Sequence, residues 1–373
     1  MVIIILIGLF FLLMMMGGAF LYSALRIASP FSKNDFNEHE MKKFFNEHSN
    51  HLSHLLFLKD KEVFWAQNQQ VLFMYRRIGN QLIVLGDPIG PKSFVEKGIE
   101  QFLSFCHSNQ LTPAFYQVSK ESMPLYEKHG FRFFKLGEEA KVNVENFSMR
   151  GKYWAKLRTR KNKFDRKGYR FHIKYPPFSQ SLLNDLAKIS KSWLGNRSEK
   201  SFSVSFFDEE YVSKFPVALL TNPDGEIIAF ATLAEEAKTK KKLHIDIMRY
   251  NRNSPHGTMD VLFVSIFQWA CDHGYHFCGL GVAPLANVGE TKEARKCEKI
   301  AHFLFEHSKY HYNFKGLKEY KGKFSPIWEP KYLAYKKSLL FVLILQIIKI
   351  VHQTPTVQAT MKRWKEVFKE KVS

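Results

Sequence analysis

Two side chains of opposite charge, Asp246 and Arg249, stand three residues apart in HIDIMRY (244–250). Downstream, YNFKGLKEYKGKFSPIWEPKYL (312–333) gathers Lys315, Lys318, Lys321 and Lys323 among Tyr312, Phe314, Tyr320, Phe324 and Trp328. A core has no use for either group, because buried lysines are expensive and glycines weaken regular elements. A planar guanidinium such as Arg249 matches a phosphate better than a lysine does. Lys321 and Lys323 alternate around Gly322, so an extended segment would turn both to one face, toward a phosphate or a developing oxyanion. Asp246 and Arg249 face opposite sides of a regular strand. They share a pocket only if that strand bulges or ends near Arg249, and otherwise form a salt bridge at a strand end.

The elements that would position these groups follow an α/β pattern given twice. A helix after Asn34 precedes strands near 71–77 and 81–86, the turn GDPIGP (86–91), a helix over 93–108, a strand at 113–119, and a short helix closing in LYEKHGF (125–131). The second half runs from the basic stretch MRGKYWAKLRTRKNKFDRKGYRF (149–171) to a helix over 179–193 and strands at 215–222 and 226–236, joined by an Asp-Gly hairpin turn. The strand 244–250, the turn SPHGTMD (254–260), a helix over 259–272 ended by Gly274 and the strand YHFCGLG complete it. Strand, turn, helix, strand and a closing Y-E-K-x-G-F resemble the N-acetyltransferase (GNAT) superfamily. An acetyl-CoA enzyme of that kind carries Q/R-x-x-G-x-G/A where backbone N–H groups hold a pyrophosphate. Neither turn has it, and Asp87 would repel a phosphate, so a donor other than acetyl-CoA is expected.

Lysine and arginine exceed the acids by 55 to 35 in 373 residues, a net charge of +20 that favours polyanionic partners such as nucleic acid or an anionic membrane. Four scattered cysteines suit a reducing compartment. Cys271, His273, His276 and Cys278 cluster around Gly274 but straddle a helix end and a strand start, and no metal is assigned. His48, His51 and His54 recur every three residues and read as the solvated face of a helix.

The chain ends read as membrane signals. Residues 1–22 contain no charge, and as a helix would extend about 33 Å, enough to cross a hydrocarbon core of roughly 30 Å. Arg26, Lys33, Lys42 and Lys43 follow, so the positive-inside rule expects a single-pass anchor over 1–25 with the large domain in the cytoplasm. SLLFVLILQIIKIV (338–351) is apolar but short, and suits a helix in the membrane interface or one buried in a core. The tail 361–373 has an amphipathic, basic pattern.

From about Phe57 to Tyr335 the chain resembles the cytoplasmic catalytic domain of the phosphatidylglycerol lysyltransferases, also called multiple peptide resistance factors. The carrying motifs are GDPIG (86–90), RGKYWAKLRTRKNK (150–163), WLGNRSEKSFSVSFFDEEY (193–211), DIMRY (246–250), GTMD (257–260), GVAPLANVG (281–289) and NFKGLKEYKGKFSPIWEPKYL (313–333). Family members often carry glycine where this chain has Ser201 and Ser205. The resemblance implies tandem GNAT-like units at 34–148 and 149–336, and the hydropathy of the chain end adds membrane-associated helices and a basic tail at 337–373. It implies transfer of an amino acid, lysine first and alanine second, from aminoacyl-tRNA to the glycerol headgroup of phosphatidylglycerol. That would lower the membrane's negative charge and give resistance to cationic antimicrobial peptides. The ester donor is already activated, so no cofactor is called for, and a separate membrane protein would translocate the lipid.

On this reading Asp246 anchors the α-ammonium group or relays the hydroxyl proton, Arg249 pairs with the lipid phosphate, and Lys321 and Lys323 meet the oxyanion or a phosphate. The matching motifs add Arg150, Lys152, Arg158 and Lys163 for tRNA phosphates, and Glu199, Asp260, Asn287, Asn313, Lys315, Tyr320 and Trp328 as substrate-binding residues. Competing expectations are a transferase acting on a peptidoglycan precursor or another lipid, and an inactive membrane-tethered tRNA- or lipid-binding protein.

Overall fold

A computed structural model describes residues 38–353 apart from 237–240, 291, 293, 308–312 and 337. The expected anchor at 1–25 and the tail beyond 353 lie outside the described residues. None of the described helices is long and apolar enough to cross a membrane.

The first half opens with α1 (Glu38–His48) and a 3-10 helix (Ser53–Leu58), followed by β1 (Glu62–Ala66), β2 (Val71–Ile78) and β3 (Gln81–Leu85). Then come α2 (Lys92–Ser108), β4 (Thr112–Ser119), α3 (Met123–Glu127) and β5 (Arg132–Asn143). The apolar, β-branched runs of β2 and β3 are buried on both faces, as central strands require. α4 (Ala155–Arg166), β6 (Arg170–Lys174), α5 (Gln180–Leu194) and α6 (Glu209–Val212) lead into the second half. It continues with β7 (Val217–Thr221), β8 (Ile227–Glu235), β9 (Lys242–Tyr250), α7 (Thr258–Asp272) and β10 (Phe277–Pro284). α8 (Lys296–His307), α9 (Phe314–Gly322), β11 (Ile327–Tyr335) and α10 (Leu340–His352) close the described chain.

The α/β order repeats. In each half three antiparallel strands are followed by a helix and a strand parallel to the third: β1–β2–β3, α2, β4, and β7–β8–β9, α7, β10. The halves do not form two separate sheets. All eleven described strands join one, in the order β1-β2-β3-β4-β11-β5-β10-β9-β8-β7-β6. The last strand of the second half, β11, enters between β4 and β5 of the first, and β5 lies between β11 and β10. The boundary at 148/149 is therefore a boundary in sequence across which the sheet is continuous. Gly137 permits the crossing. Its φ of +141° is one that L side chains rarely adopt, and a Cβ there would lie 2.3 Å from the Ala283 carbonyl oxygen.

Three large apolar clusters and one small one pack the sheet. One face is covered by α1, the 3-10 helix, α5, α6, α8 and α10, through Met41, Leu56, Leu186, Tyr211, Ala301 and Ile347. The other carries α2 and α3 over the first half, and α4, α7 and α9 over the second. In α10 the two readings of 338–351 meet. Leu343, Ile347 and Ile350 are buried against the core, whereas Phe341 and Ile348 are exposed.

Candidate active site

The problem posed by the spacing of Asp246 and Arg249 is resolved by a bulge. Between β8 and β9, Leu233 pairs Ile245 and Ala231 pairs Met248, so Asp246 and Ile247 together oppose the single residue Thr232. The extra residue reverses the alternation. Asp246, Ile247 and Arg249 then share the face of the sheet covered by α5 and α6, while Ile245 and Met248 belong to the opposite core.

Asp246 is enclosed by donors. Ser205 Oγ and Tyr211 Oη donate to its two oxygens at 2.5 Å each, His54 Nε2 lies 3.3 Å away and Thr232 Oγ1 3.5 Å away. Burial pushes the carboxyl's pKa upward, but the charge attraction and hydrogen bond of His54 and the hydroxyls of Ser205 and Tyr211 outweigh it, and the net displacement is downward. Asp246 is a fixed negative charge. Arg249 is equally enclosed: Glu199 accepts from it at 3.0 Å, the Trp193 ring lies under its guanidinium at 3.9 Å, and only its buried Nε lacks a partner.

Beside this group, sequence reading missed a second one. Glu139 on β5 is wholly buried, with Lys331 Nζ at 2.9 Å, Lys141 Nζ at 3.7 Å, His51 Nε2 at 3.9 Å and His244 Nδ1 at 4.0 Å. Burial raises the Glu139 pKa, yet the surrounding cations pull it well below the ordinary carboxylate range. Burial lowers His51 to about 3 against the raising pull of Glu139, so near neutrality the charges that hold Glu139 ionised are those of Lys331 and Lys141. The reading of His48, His51 and His54 as one solvated helix face is corrected. α1 ends at His48, His51 turns inward after it, and the 3-10 helix carries His54 to Asp246. A three-residue spacing gives no sign of a chain reversal between its members.

Lys321 and Lys323 also depart from the extended-segment expectation. Lys321 occupies the last turn of α9 and Lys323 is its C-cap, so the two diverge. Lys321 is buried and donates at 2.9 Å to the carbonyls of both Gly281 and Val282, which stand where β10 breaks register against β5. Burial lowers its pKa from 10.5 to about 7, with Glu139 as the opposing charge. Lys323 is partly exposed, 3.7 Å from Asp260. α9 packs through Tyr320, with Phe324 just beyond it, in the core on the other face of the sheet from Tyr211 and Ile247, and Lys321 reaches from there to the register break of β10. Asp246 and Arg249 thus share one face, Lys321 and Lys323 take different partners, and Glu139 is the charge that opposes the effect of burial on Lys321.

The remaining nominees separate. Asp260 is buried and bound by Arg160, which makes it an anchor for α4. Tyr320 packs on Phe263 and Phe324, and Trp328 is half-buried beside the same core. Asn313 caps α9 by accepting from Gly316 N at 2.8 Å, and Lys315 pairs with Glu306 at 2.7 Å on the surface, so both are structural here. Asn287 bridges Lys318 and Glu138. Arg158 donates to the Met149 and Gly151 carbonyls, fixing the turn that carries Arg150 and Lys152. Lys163 joins Arg160, Lys167, Tyr169 and His256 around a basic cavity of about 250 Å³. Cys278 is buried in the core and Cys271 donates to the Glu145 carbonyl. Asp87, read as a repulsive group in a turn, accepts from Ser119 N and Tyr126 Oη.

Comparison with known proteins gives this geometry a family context. Residues 42–335 match the family model described as phosphatidylglycerol lysyltransferase, C-terminal. A phosphatidylglycerol lysyltransferase of Bacillus subtilis is 42% identical over 296 residues, 79% of this chain and 34% of that protein, so the chain spans about a third of its relative's length. The solved structure of L-PGS from Bacillus licheniformis is 37% identical with a TM-score of 0.77, covering 87% of this chain and 100% of that one. A C-terminal domain from Agrobacterium fabrum is 32% identical with a TM-score of 0.75, covering 85% and 97%.

Proposed function

Because the chain belongs to the phosphatidylglycerol lysyltransferase C-terminal family, we propose that it moves an aminoacyl group, lysine first and alanine second, from aminoacyl-tRNA to the glycerol headgroup of phosphatidylglycerol at the inner membrane face. The observation that carries the mechanism is Lys321. A neutral amine has two hydrogens and one lone pair. Here two hydrogens are taken by the Gly281 and Val282 carbonyls, which leaves the lone pair to accept a proton. A base with a pKa of about 7 is poised for proton transfer near neutrality.

The lipid hydroxyl oxygen attacks the ester carbonyl carbon and its proton passes to Lys321. The tetrahedral oxyanion collapses, the bond to the ribose oxygen breaks, and Lys321 returns the proton to that oxygen. Asp246, held ionised, is a poor base, so its part is to fix an ammonium group by charge. Arg249 keeps an Nε–H for a lipid phosphate, positioned by Glu199 and Trp193. The tRNA backbone is assigned to the basic cavity and to the turn at Arg150 and Lys152, through phosphate contacts that carry no sequence information.

The test is expression in a bacterium lacking aminoacyl lipids, with extracted headgroups identified by mass spectrometry. A new aminoacyl-phosphatidylglycerol that disappears in Asp246→Ala and Lys321→Met is expected. An unchanged lipid profile from a folded, membrane-bound protein overturns the reading.

A further inference from the structure

Exposed large apolar side chains are not scattered over the described surface. Six of the eleven belong to two helices and their flanks: Ile300, Phe303 and Leu304 on α8, and Leu339, Phe341 and Ile348 at α10. Both helices cover the same face of the sheet, α8 through Ala301 and α10 through Leu343 and Ile347.

Their outward faces share a composition. On α8 the exposed residues are Lys296, Lys299, Ile300, Phe303, Leu304 and His307, at helical spacing and without a carboxylate. Its two acids are turned aside into ion pairs, Glu298 with Arg295 at 2.8 Å and Glu306 with Lys315 at 2.7 Å. α10 contains no acid at all, and exposes Phe341, Ile348, Lys349 and His352. On these two helices an apolar stripe flanked by basic groups complements an anionic bilayer, where apolar side chains enter the acyl boundary and lysines meet headgroups. The exposed acids of the face, Glu40, Glu47, Glu209 and Glu210, belong to α1 and α6. The first and last described helices pack on this same face. α1, which follows the uncharged segment 1–22, packs there through Met41 and Phe45, and α10 leads into the basic tail.

We infer that α8 and α10 form a monotopic seat by which this face lies on an anionic bilayer. The inference deepens the proposed function by assigning the surface through which lipid is met, and depends on that function only for the lipid's identity.

The test uses the full chain reconstituted in vesicles of phosphatidylglycerol and phosphatidylethanolamine, some carrying brominated acyl chains. A tryptophan is introduced on each helix, by Phe303→Trp in one variant and by Phe341→Trp in another. Its fluorescence, after subtraction of the parent signal, should be strongly quenched in both. A tryptophan introduced at exposed Tyr175, on the loop after β6, should not be. In Lys296→Gln/Lys299→Gln, the KM for vesicle lipid should rise on the order of tenfold or more, with the KM for aminoacyl-tRNA unchanged. Absence of quenching at both positions overturns the seat, whether a second copy found by crosslinking or the segment 1–22 covers the face instead. Quenching in a protein that makes no aminoacyl lipid would sustain the seat and overturn the proposed reaction.

Discussion

The buried amine of Lys321 should be visible in stability as well as in rate. In the fold it is neutral above about pH 7, because burial has lowered its pKa from 10.5, whereas in the unfolded chain it keeps its proton up to the ordinary lysine value. Between those limits the unfolded state binds one more proton than the folded state, so this residue makes stability rise with pH across the window. From pH 7.5 to 9.5 the full slope contributes about 2.7 kcal/mol, at roughly 1.4 kcal/mol per pH unit. Lys321→Met removes the titrating group and keeps the packing. Its stability at pH 7.5 should match or exceed the parent's, and the gap should move in the parent's favour by about 2 to 3 kcal/mol by pH 9.5. The assay is chemical unfolding of both proteins in mild detergent, followed by tryptophan fluorescence. Other groups titrating in the window cancel in the difference. The same pKa requires the parent's rate to climb with pH and level off above about 7, and Lys321→Arg, always protonated, to be slow at every pH. Parallel pH–stability curves for parent and Lys321→Met would refute a depressed lysine, and with it the assignment of the base.

Asp246→Asn should keep the bulge but lose the fixed charge, lowering kcat by on the order of a hundredfold or more in an aminoacyl-lipid assay while near-UV dichroism stays native. Tyr211→Phe, which removes one of the 2.5 Å donors, should cost roughly 1.5–3 kcal/mol in unfolding free energy. Gly279→Ala would put a Cβ 2.1 Å from His244 Nδ1. It should force that ring away from Glu236, 2.8 Å from its Nε2, at a cost of about 1–3 kcal/mol, read from a lower melting temperature. Lys163→Ala should raise the KM for aminoacyl-tRNA and flatten its salt dependence by about one unit of log–log slope, leaving the KM for lipid unchanged.

Much of the fold was legible where the physics is local. β2, β3 and β9 are apolar or β-branched runs bounded by turns, and α7 is an apolar stretch ended by Gly274; each formed within a few residues of its expected span. The site was legible only in part. Asp246, Arg249 and Lys321 stood out as charges in apolar context, but what each one meets is set by pairings distant in sequence. The bulge opposite Thr232 depends on how β8 and β9 register, which neither strand encodes alone. Glu139 lies in the charged run GEEAK, and such runs are ordinarily surface. It is buried because β10 and β11 enclose β5, and Lys331 from β11 supplies its counter-charge.

The interleaving of the last strands also sets when this protein can become itself. β4 and β5 are synthesised early, yet the place between them is filled by β11, near the end of the described chain, where Tyr332 pairs with Val118 and Glu329 with Glu139. Such distant pairings are slow to form, and until they do both neighbours present open edges prone to misassociation. A nascent chain halted after β10 would hold Asp246 but lack Lys321 and Lys331, the nearest counter-charge of Glu139. The candidate centre is therefore complete only once β11 is in place, and each half of the sheet depends on the other.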